Sequence, residues 1–373
     1  MHGESHIRVH AGYTFGMRKC AWFAVLAVAC SHPKEAPAPA PGSSAPGSAT
    51  TGSATVVAPA HAADATHLPL PGAGSGGVMM DYLVYDDRTK ALWVPAGNTA
   101  AVDVVDVATD KISQITGFAT KEIERNGRKR QVGPSSASLG EPGTVYVGNR
   151  GDSTVCAFDE KTFAKGACAT LDAMPDGVAY VAKTHEVWVT TPRDKSLRIL
   201  DAKTLAEKPK IALDDEPEGY AVDNLRGRFY TNVEDKDVTL SIDLASHKKL
   251  ATWPSGCGED GGHGLRLVEA DGQLVIGCSA QLRTIDVTKG TVVGSLAIGD
   301  GVDDLDLDRA TRTVYAAGSK SATLAIATLG KDGSLALVAQ PPTAQGARNG
   351  AVTEGGKFYV ADGRDGQLII VKH

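Results

Sequence analysis

The fold is decided by residues 176–213, which read DGVAYVAKTHEVWVTTPRDKSLRILDAKTLAEKPKIAL. This stretch contains four short runs of β-branched, aromatic and apolar residues, at 177–181, 187–190, 197–200 and 210–213. Clusters of turn-forming residues such as Pro192-Arg193-Asp194-Lys195 separate the runs. Four antiparallel strands in about 40 residues is the length of one blade of a β-propeller.

The second run of this unit recurs along the chain with a large residue at its centre. The seven copies are LWV 92–94, VYV 145–147, VWV 187–189, FYT 229–231, LVI 274–276, VYA 314–316 and FYV 358–360. Their central residues are separated by 53, 42, 42, 45, 40 and 44 positions. Any all-β protein has hydrophobic strands at intervals, but the shared period and the mostly aromatic centre predict an all-β, seven-bladed propeller of four-stranded blades.

The two ends of the propeller region are expected to close the ring. The seventh repeat finishes with GQLIIV at 366–371 and has no fourth run of its own. Residues 66–71, THLPLP, are strand-like and precede the first blade. We expect this N-terminal strand to complete the last blade, where its prolines are tolerated because the outermost strand is an edge. The propeller is thus predicted to span residues 66–373.

A basic insertion accounts for the longest step between repeats. Residues 120–132 read TKEIERNGRKRQV and carry Lys121, Arg125, Arg128, Lys129 and Arg130. Two interpretations stay open: a solvated loop or β-excursion, and a basic flap for an anionic partner or lipid headgroups. The whole chain carries a net charge of −6, which argues against nucleic acid as a partner.

The N-terminal region predicts export. Met17 begins MRKCAWFAVLAVAC, in which cations precede an apolar run, as in a secretory signal peptide. We therefore expect a signal peptide at 1–29, with Met17 as the true start. The segment Ala27-Val28-Ala29-Cys30 resembles a bacterial lipobox, although Leu is usual where Ala27 stands. That resemblance implies lipidation of Cys30, and Ser31 after it resembles the pattern for outer-membrane delivery; the alternative is an ordinary signal peptide with a chance cysteine.

A low-complexity segment follows the candidate anchor. Residues 30–65 are dominated by Pro, Ala, Gly, Ser and Thr, which cannot bury a core. We expect a disordered linker that tethers the propeller to a membrane, so that the lipid is the only membrane contact. The predicted localisation is an exported lipoprotein at the outer membrane or facing the periplasm.

Four cysteines belong to the propeller region. Folding the hairpin about Thr162 places Cys156 opposite Cys168, and a close antiparallel pair can approach disulfide geometry. Cys257 precedes blade five and Cys278 ends its second strand, on the same predicted face. We predict the disulfides Cys156–Cys168 and Cys257–Cys278, which an exported compartment permits. A metal site is the rival interpretation, but no Cys-x-x-Cys or paired His accompanies these residues.

The repeats resemble a known family. The runs VYVGNRGDSTVCAFD, VWVTTPRDKSLRILD and FYTNVEDKDVTLSID, each preceded by PSS, PDG or PEG, look like the YVTN-repeat (YncE-like, surface-layer-type) family of seven-bladed propellers. The resemblance covers about residues 66–373, and blades one and five match it less well. It implies an exported bacterial protein of binding or adhesion type, without a common set of catalytic residues that could be transferred here.

One position recurs where the chain approaches the first strand of each blade, at the mouth of the central channel. Counting back 12 residues from each central residue, with an adjustment in blade seven, gives the candidate ligand residues Asp81, Asp176, Glu218, His263, Asp303 and Asn349. Carboxylates suit hard cations, so Asp81, Asp176, Glu218 and Asp303 are metal candidates and Ca²⁺ is a possible ligand. The alternative is that these are polar turn residues at a hydrated opening.

These observations favour a monomeric, non-enzymatic binding or scaffold protein that uses its top face for a protein or small polar ligand. No catalytic residue and no cofactor other than the possible Ca²⁺ are predicted. The alternative is a metal-dependent propeller hydrolase of lactonase type, or an accessory subunit of a periplasmic oxidoreductase. A covalent haem is disfavoured because Cys-x-x-Cys-His is absent from the sequence.

Overall fold

Seven antiparallel sheets of four strands follow one another around a central channel in the computed structural model, which describes residues 65–125 and 127–373. The all-β, seven-bladed propeller predicted from the repeats is therefore confirmed. The predicted signal peptide at 1–29, the Met17 start, Cys30 and all but the last residue of the linker at 30–65 lie outside the described residues.

The strands are numbered in chain order. The N-terminal strand and blade one comprise β1 Thr66–Pro69, β2 Val84–Asp86, β3 Ala91–Ala96, β4 Ala101–Asp106 and β5 Lys111–Thr116. The insertion comprises β6 Lys121–Arg125 and β7 Arg128–Val132. Blade two comprises β8 Pro134–Leu139, β9 Thr144–Asn149, β10 Thr154–Asp159 and β11 Lys165–Thr170. Blade three comprises β12 Val178–Val181, β13 Glu186–Thr191, β14 Ser196–Asp201 and β15 Glu207–Ala212.

The remaining blades have the same plan. Blade four comprises β16 Pro217–Asp223, β17 Arg228–Val233, β18 Val238–Asp243 and β19 Lys249–Pro254. Blade five comprises β20 Gly262–Val268, β21 Gln273–Cys278, β22 Gln281–Asp286 and β23 Thr291–Ala297. Blades six and seven comprise β24 Leu305–Asp308, β25 Thr313–Gly318, β26 Thr323–Leu329, β27 Leu335–Ala339, β28 Asn349–Val352, β29 Lys357–Asp362 and β30 Gln367–Lys372. Short 3-10 turns lie at Gly97–Thr99, Pro192–Asp194, Glu234–Lys236 and Glu354–Gly356. No helix in the described part of the chain is long and apolar enough to cross a membrane.

The hydrophobic core lies between neighbouring blades and is built mainly from the second strands. Trp93, Trp188 and Tyr359, at the centres of three of the repeats, are fully buried. Trp188 of blade three stacks on Phe229 of blade four with 4.8 Å between ring centroids. Fully burying a large apolar side chain stabilises a fold by about 1.5–3 kcal/mol, so the repeated aromatic centre helps to hold blade against blade.

The outer strand of blade three differs in its bounds from the sequence expectation. The fourth strand of blade three was expected at 210–213, but β15 begins earlier and ends at Ala212. All six of its residues are exposed or half-buried, and the exposed positions include Glu207, Pro209 and Lys210. An edge strand needs few apolar residues, so the hydrophobic pattern located only its C-terminal half.

The ring closes as predicted. Strand β1 pairs with β30 in antiparallel register, from Thr66 opposite Ile370 to Pro69 opposite Gln367. The Leu70 amide continues the ladder with a 2.9 Å hydrogen bond to the Gly366 carbonyl. The first strand therefore completes blade seven and covers an edge that would otherwise be open.

Both predicted disulfides are formed. Cys156 and Cys168 lie directly opposite each other in β10 and β11, with their Cα atoms 4.1 Å apart. Cys257 is bonded to Cys278 at the end of β21, with 5.4 Å between Cα atoms. Two disulfides indicate that the protein folds in an oxidising environment.

The insertion forms a two-stranded hairpin, β6–β7, as the β-excursion interpretation expected. Its base packs against the turn at Gly97–Thr99 of blade one, where a Cβ atom on Gly133 would collide with the Gly97 carbonyl. This close approach holds the hairpin at the face on which the first strands begin.

Candidate binding site at the channel mouth

The predicted acidic residues meet at one end of the channel. Asp81, Asp176, Glu218 and Asp303 line a cavity of about 770 Å³, which we call the mouth cavity. They lie just before the first strands of blades one, three and six and at the second residue of β16 in blade four. The loops between second and third strands line the same cavity, so both sets of loops form one face, which we call the top face.

An arginine from a neighbouring loop pairs with two of these carboxylates and offsets one of their two negative charges. Arg150 lies in the loop between β9 and β10, and its Nη2 atom donates to Asp81 Oδ2 at 2.6 Å and also to Asp176 Oδ1. The three side chains are only 17%, 19% and 13% exposed, respectively. Burial raises the pKa of Asp176, whereas the Arg150 charge opposes this shift. The same carboxylates raise the pKa of Arg150 although burial opposes it, so the guanidinium remains charged.

A second arginine balances the opposite wall. Arg348 Nη1 lies 3.2 Å from Asp303 Oδ1. Burial raises the pKa of Asp303, and Arg348 counteracts it. Opposite charges within about 4 Å stabilise each other most where water is partly excluded, so the Arg150 pairs contribute more to the wall of the mouth cavity than the half-exposed Arg348 pair.

Glu218 differs from the other three carboxylates. It forms no ion pair or side-chain hydrogen bond within residues 65–125 and 127–373. Burial raises its pKa well above the ordinary value, and the charges of Asp176, Asp303 and Asp81 add to the shift. A glutamic acid in this setting is readily protonated, and it can then donate a hydrogen bond.

Two predicted ligand residues lie behind the cavity rather than on its wall. Asn349 is 1% exposed and donates through Nδ2 to Asp81 Oδ1 at 3.3 Å, so it supports that carboxylate. His263 Nδ1 lies 3.1 Å from Glu234 Oε1, and its Nε2 lies 3.4 Å from Ser279 Oγ. Burial lowers the pKa of His263, but the hydrogen bond and charge of Glu234 outweigh this effect and raise it.

The acidic residues do not assemble as a metal-binding cluster. Within the described ranges, no group of three or more His, Cys, Asp or Glu side chains is placed to hold a metal ion. Arg150 occupies the space between Asp81 and Asp176, where a cation would otherwise lie. The arrangement instead resembles a set of internal ion pairs that shape a polar recess.

The lining of the mouth cavity is more cationic than the basic insertion alone had predicted. Seven cationic residues line it beside six acidic ones: Arg125, Lys129, Arg130, Arg150, Arg193, Arg348 and Arg364, with Asp81, Asp176, Glu216, Glu218, Glu234 and Asp303. Three of the cations come from the β6–β7 hairpin. The Arg-Asp and Arg-x-Asp sequences of the loops between second and third strands were the signal that could have revealed Arg150, Arg193 and Arg364.

The channel narrows below the mouth cavity. Tyr82 and Tyr220 approach to 5.6 Å between ring centroids, and Arg266 Nη2 lies 2.9 Å from Asp304 Oδ2. Below them is a second cavity of about 1020 Å³, which shares no lining residue with the mouth cavity. This lower cavity is larger, but it receives neither the predicted residues nor the top-face loops, so the mouth cavity is the better candidate site.

Comparison with known proteins supports the fold. No protein-family model and no curated protein matches the sequence. A chain of the mitotic checkpoint complex has a TM-score of 0.67 at 13% identity, with 94% of this chain and 99% of that chain covered. The Kuenenia stuttgartiensis hydrazine synthase has a TM-score of 0.63 at 13% identity, with 83% of this chain and 97% of that chain covered. The streptogramin B lyase has a TM-score of 0.63 at 11% identity, with 83% of this chain and 97% of that chain covered. At these identities the similarity shows the propeller fold alone, and membership of the YVTN-repeat family stays a prediction.

Proposed function

We propose that this protein is an exported, lipid-anchored binding protein of the YVTN-repeat type, which engages a partner protein or small polar ligand at its mouth cavity and catalyses no reaction. The observation that carries the proposal is the mouth cavity itself, a recess of about 770 Å³ lined by charged side chains from loops of several blades. Binding sites are commonly concave recesses in which a few polar groups converge.

The internal ion pairs support a binding role rather than a catalytic one for Asp81 and Asp176. Asp81 and Asp176 are both engaged by Arg150, which leaves neither free to act as a general base or as a metal ligand. The lactonase-type alternative needs such a set at the channel, and no observation favours it over binding. The similar folds do not decide the question, since the names hydrazine synthase and streptogramin B lyase denote enzymes whereas mitotic checkpoint complex denotes an assembly.

Position-resolved photo-crosslinking in the producing cell tests the binding half of the proposal. A photoreactive amino acid replaces Arg193, which is exposed on the top face, or Lys203, which is exposed in the turn after β14 of the same blade. These positions lie at opposite ends of one strand, so they form a matched pair. We expect a discrete crosslinked product from position 193 and none from position 203. The same product from both positions, or from position 203 alone, would refute a top-face site.

Membrane fractionation tests the anchor. A Cys30→Ser variant should leave the membrane fraction because the thiol that carries the lipid is lost, whereas the matched Cys20→Ser variant should stay. Retention of the Cys30→Ser protein in membranes would contradict lipidation at this residue. Loss of both variants from membranes would mean that changes anywhere in the signal region disturb export, so that the effect is not specific to lipidation of Cys30.

A further inference from the structure

The charged residues of the mouth cavity are unevenly distributed around the ring. Among the described residues, each cation of the lining comes from the β6–β7 hairpin, blade two, blade three or blade seven. Blades four to six contribute only acidic charged residues to the lining, namely Glu216, Glu218, Glu234 and Asp303. One side of the mouth is therefore a cationic arc, defined by Arg125, Lys129, Arg130, Arg150, Arg193, Arg348 and Arg364.

Some members of the arc are already neutralised inside the protein. Arg150 is paired with Asp81 and Asp176, and Arg348 is paired with Asp303. Lys129 Nζ lies 2.8 Å from Glu122 Oε1 on the neighbouring strand of the hairpin.

The other four members of the cationic arc have no internal counter-charge among the described residues. Arg125, Arg130, Arg193 and Arg364 are exposed and line the mouth cavity. Within residues 65–125 and 127–373, none of the four forms an ion pair or donates a side-chain hydrogen bond. Glu234 is held by His263, so the unpaired acidic lining residues are Glu216 and Glu218. Apart from the internal pairs, which leave one carboxylate in excess because Arg150 serves both Asp81 and Asp176, four unpaired guanidinium groups face two unpaired carboxyl groups. The exposed, unpaired charge on this side of the mouth is therefore mainly cationic and suits an anionic group.

The chemistry and spacing of these groups narrow the ligand. A guanidinium presents a planar set of donors that matches a carboxylate in bidentate geometry. The four arginines come from the hairpin, blade three and blade seven, so a ligand that reaches all of them must span several loops. An extended peptide advances about 3.3 Å per residue and can place successive carboxylates along such an arc. The arginines line a concave recess, which suits a narrow peptide better than a flat bilayer surface.

We propose that the cationic arc binds an acidic peptide segment of a partner protein, through Arg125, Arg130, Arg193 and Arg364. This inference rests on the proposed binding function and names the chemistry of its partner. Such an interaction is steered by long-range attraction and is weakened by salt, because the four arginines are solvent-exposed.

Fluorescence anisotropy with labelled peptides tests the inference on the purified mature protein. The probe is a peptide of alternating Glu and Thr, and its matched control has Gln in place of every Glu. We expect saturable binding of the acidic peptide and none of the Gln peptide, with affinity falling as NaCl is raised. Equal binding of both peptides, or of neither, would overturn the inference.

Variants locate the site. Each of R125Q, R130Q, R193Q and R364Q should weaken binding by about 2- to 5-fold, the range expected for exposed ion pairs, and the combined variant by roughly 20-fold or more. The control K203Q lies on the opposite face and should leave the affinity unchanged. An effect of K203Q as large as that of R193Q would mean that binding follows net charge rather than the arc.

Two further outcomes separate the explanations. The second arm of the experiment uses vesicles that contain phosphatidylglycerol. If the vesicles bind, and if their binding depends on the four arginines as strongly as peptide binding does, the ligand of the arc would be a membrane surface rather than a peptide. If the acidic peptide fails while crosslinking at position 193 persists, the inference is wrong and the proposed binding function stands. If crosslinking at position 193 also fails, the proposed function itself is wrong.

Discussion

Replacing Arg150 by Met would leave the Asp81 and Asp176 carboxylates without their counter-charge. The substitution keeps much of the side-chain length but removes the only cation that contacts both groups in the described residues. All three side chains are less than one-fifth exposed, so solvent screens the loss only partly. Breaking a buried pair by removing one partner costs about 3–5 kcal/mol.

That cost sets a measurable shift in the midpoint of thermal unfolding. An unfolding entropy of about 2.1 cal/mol/K per residue over roughly 300 residues converts 3–5 kcal/mol into roughly 5–8 °C. The shift should depend on pH. Without Arg150, the main charge that opposes the effect of burial on the Asp176 pKa is lost, so its folded-state value rises further above the unfolded value. Such a group favours the folded state at low pH and loses that contribution as pH rises through the folded pKa, so the deficit should be larger at pH 7.5 than at pH 5.

Differential scanning calorimetry of the wild type, R150M and the double variant R150M/D176N at both pH values tests this reasoning. The double variant should recover part of the loss because it removes one of the two stranded charges. R364M is the matched control, since Arg364 is exposed and unpaired among the described residues, and its free energy of unfolding should change by less than about 0.5 kcal/mol. A loss below about 1 kcal/mol for R150M, or a loss that is equal at both pH values, would refute the assigned ion pairs.

Other predictions follow from buried groups and from the closure of the ring. Asp103 is fully buried, accepts a 2.8 Å hydrogen bond from Gln114 Nε2, and has a pKa raised to about 6 by burial, so D103N should stabilise the protein at pH 7.5 by about 1–3 kcal/mol and lose this gain towards pH 4, as urea unfolding at both pH values would reveal. Replacing Cys156 and Cys168 together by Ala opens a loop with a separation of 12 residues and should cost about 3 kcal/mol in the same assay, whereas a cost near zero would contradict a stabilising disulfide. Deleting residues 66–71 should expose the edge of β30 and produce concentration-dependent aggregation in light scattering, and a soluble, equally stable product would contradict closure by β1.

The sequence predicted the architecture because each blade repeats a local pattern. Trp93, Trp188 and Tyr359 occupy the same buried place in their blades, and the spacing of the seven equivalent central residues predicted the number of blades. The disulfide Cys156–Cys168 was predictable for the same reason, since a short hairpin fixes which residues face each other. Local chemistry also explains the Asp that ends most third strands: Asp201 accepts a 2.9 Å hydrogen bond from the Thr204 amide and thereby caps the following turn.

The site was predictable only in part because it depends on contacts between blades. Counting along the repeat located Asp81, Asp176, Glu218 and Asp303 at one height of the channel, and all four line the mouth cavity. The same count cannot specify which way a side chain points, so it also selected Asn349, which lies behind the wall.

The pairing partners were harder to predict. Arg150 is separated by 69 residues from Asp81 and by 26 from Asp176, and no local pattern connects them. The hairpin reaches the mouth cavity because Gly133 permits a close approach to Gly97, which a charge pattern does not encode. Electrostatic partners that depend on such long-range packing require the folded structure.

Hydrogen–deuterium exchange with the acidic Glu–Thr peptide tests most directly whether ligands bind at the mouth cavity through the cationic arc. Bound peptide should slow exchange in residues 121–132 and in the loops that carry Arg193 and Arg364, and should leave the turn at Lys203 unchanged. The combined four-arginine variant should lose this protection. Protection confined to the opposite face, or protection of the mouth that survives in that variant, would contradict the account.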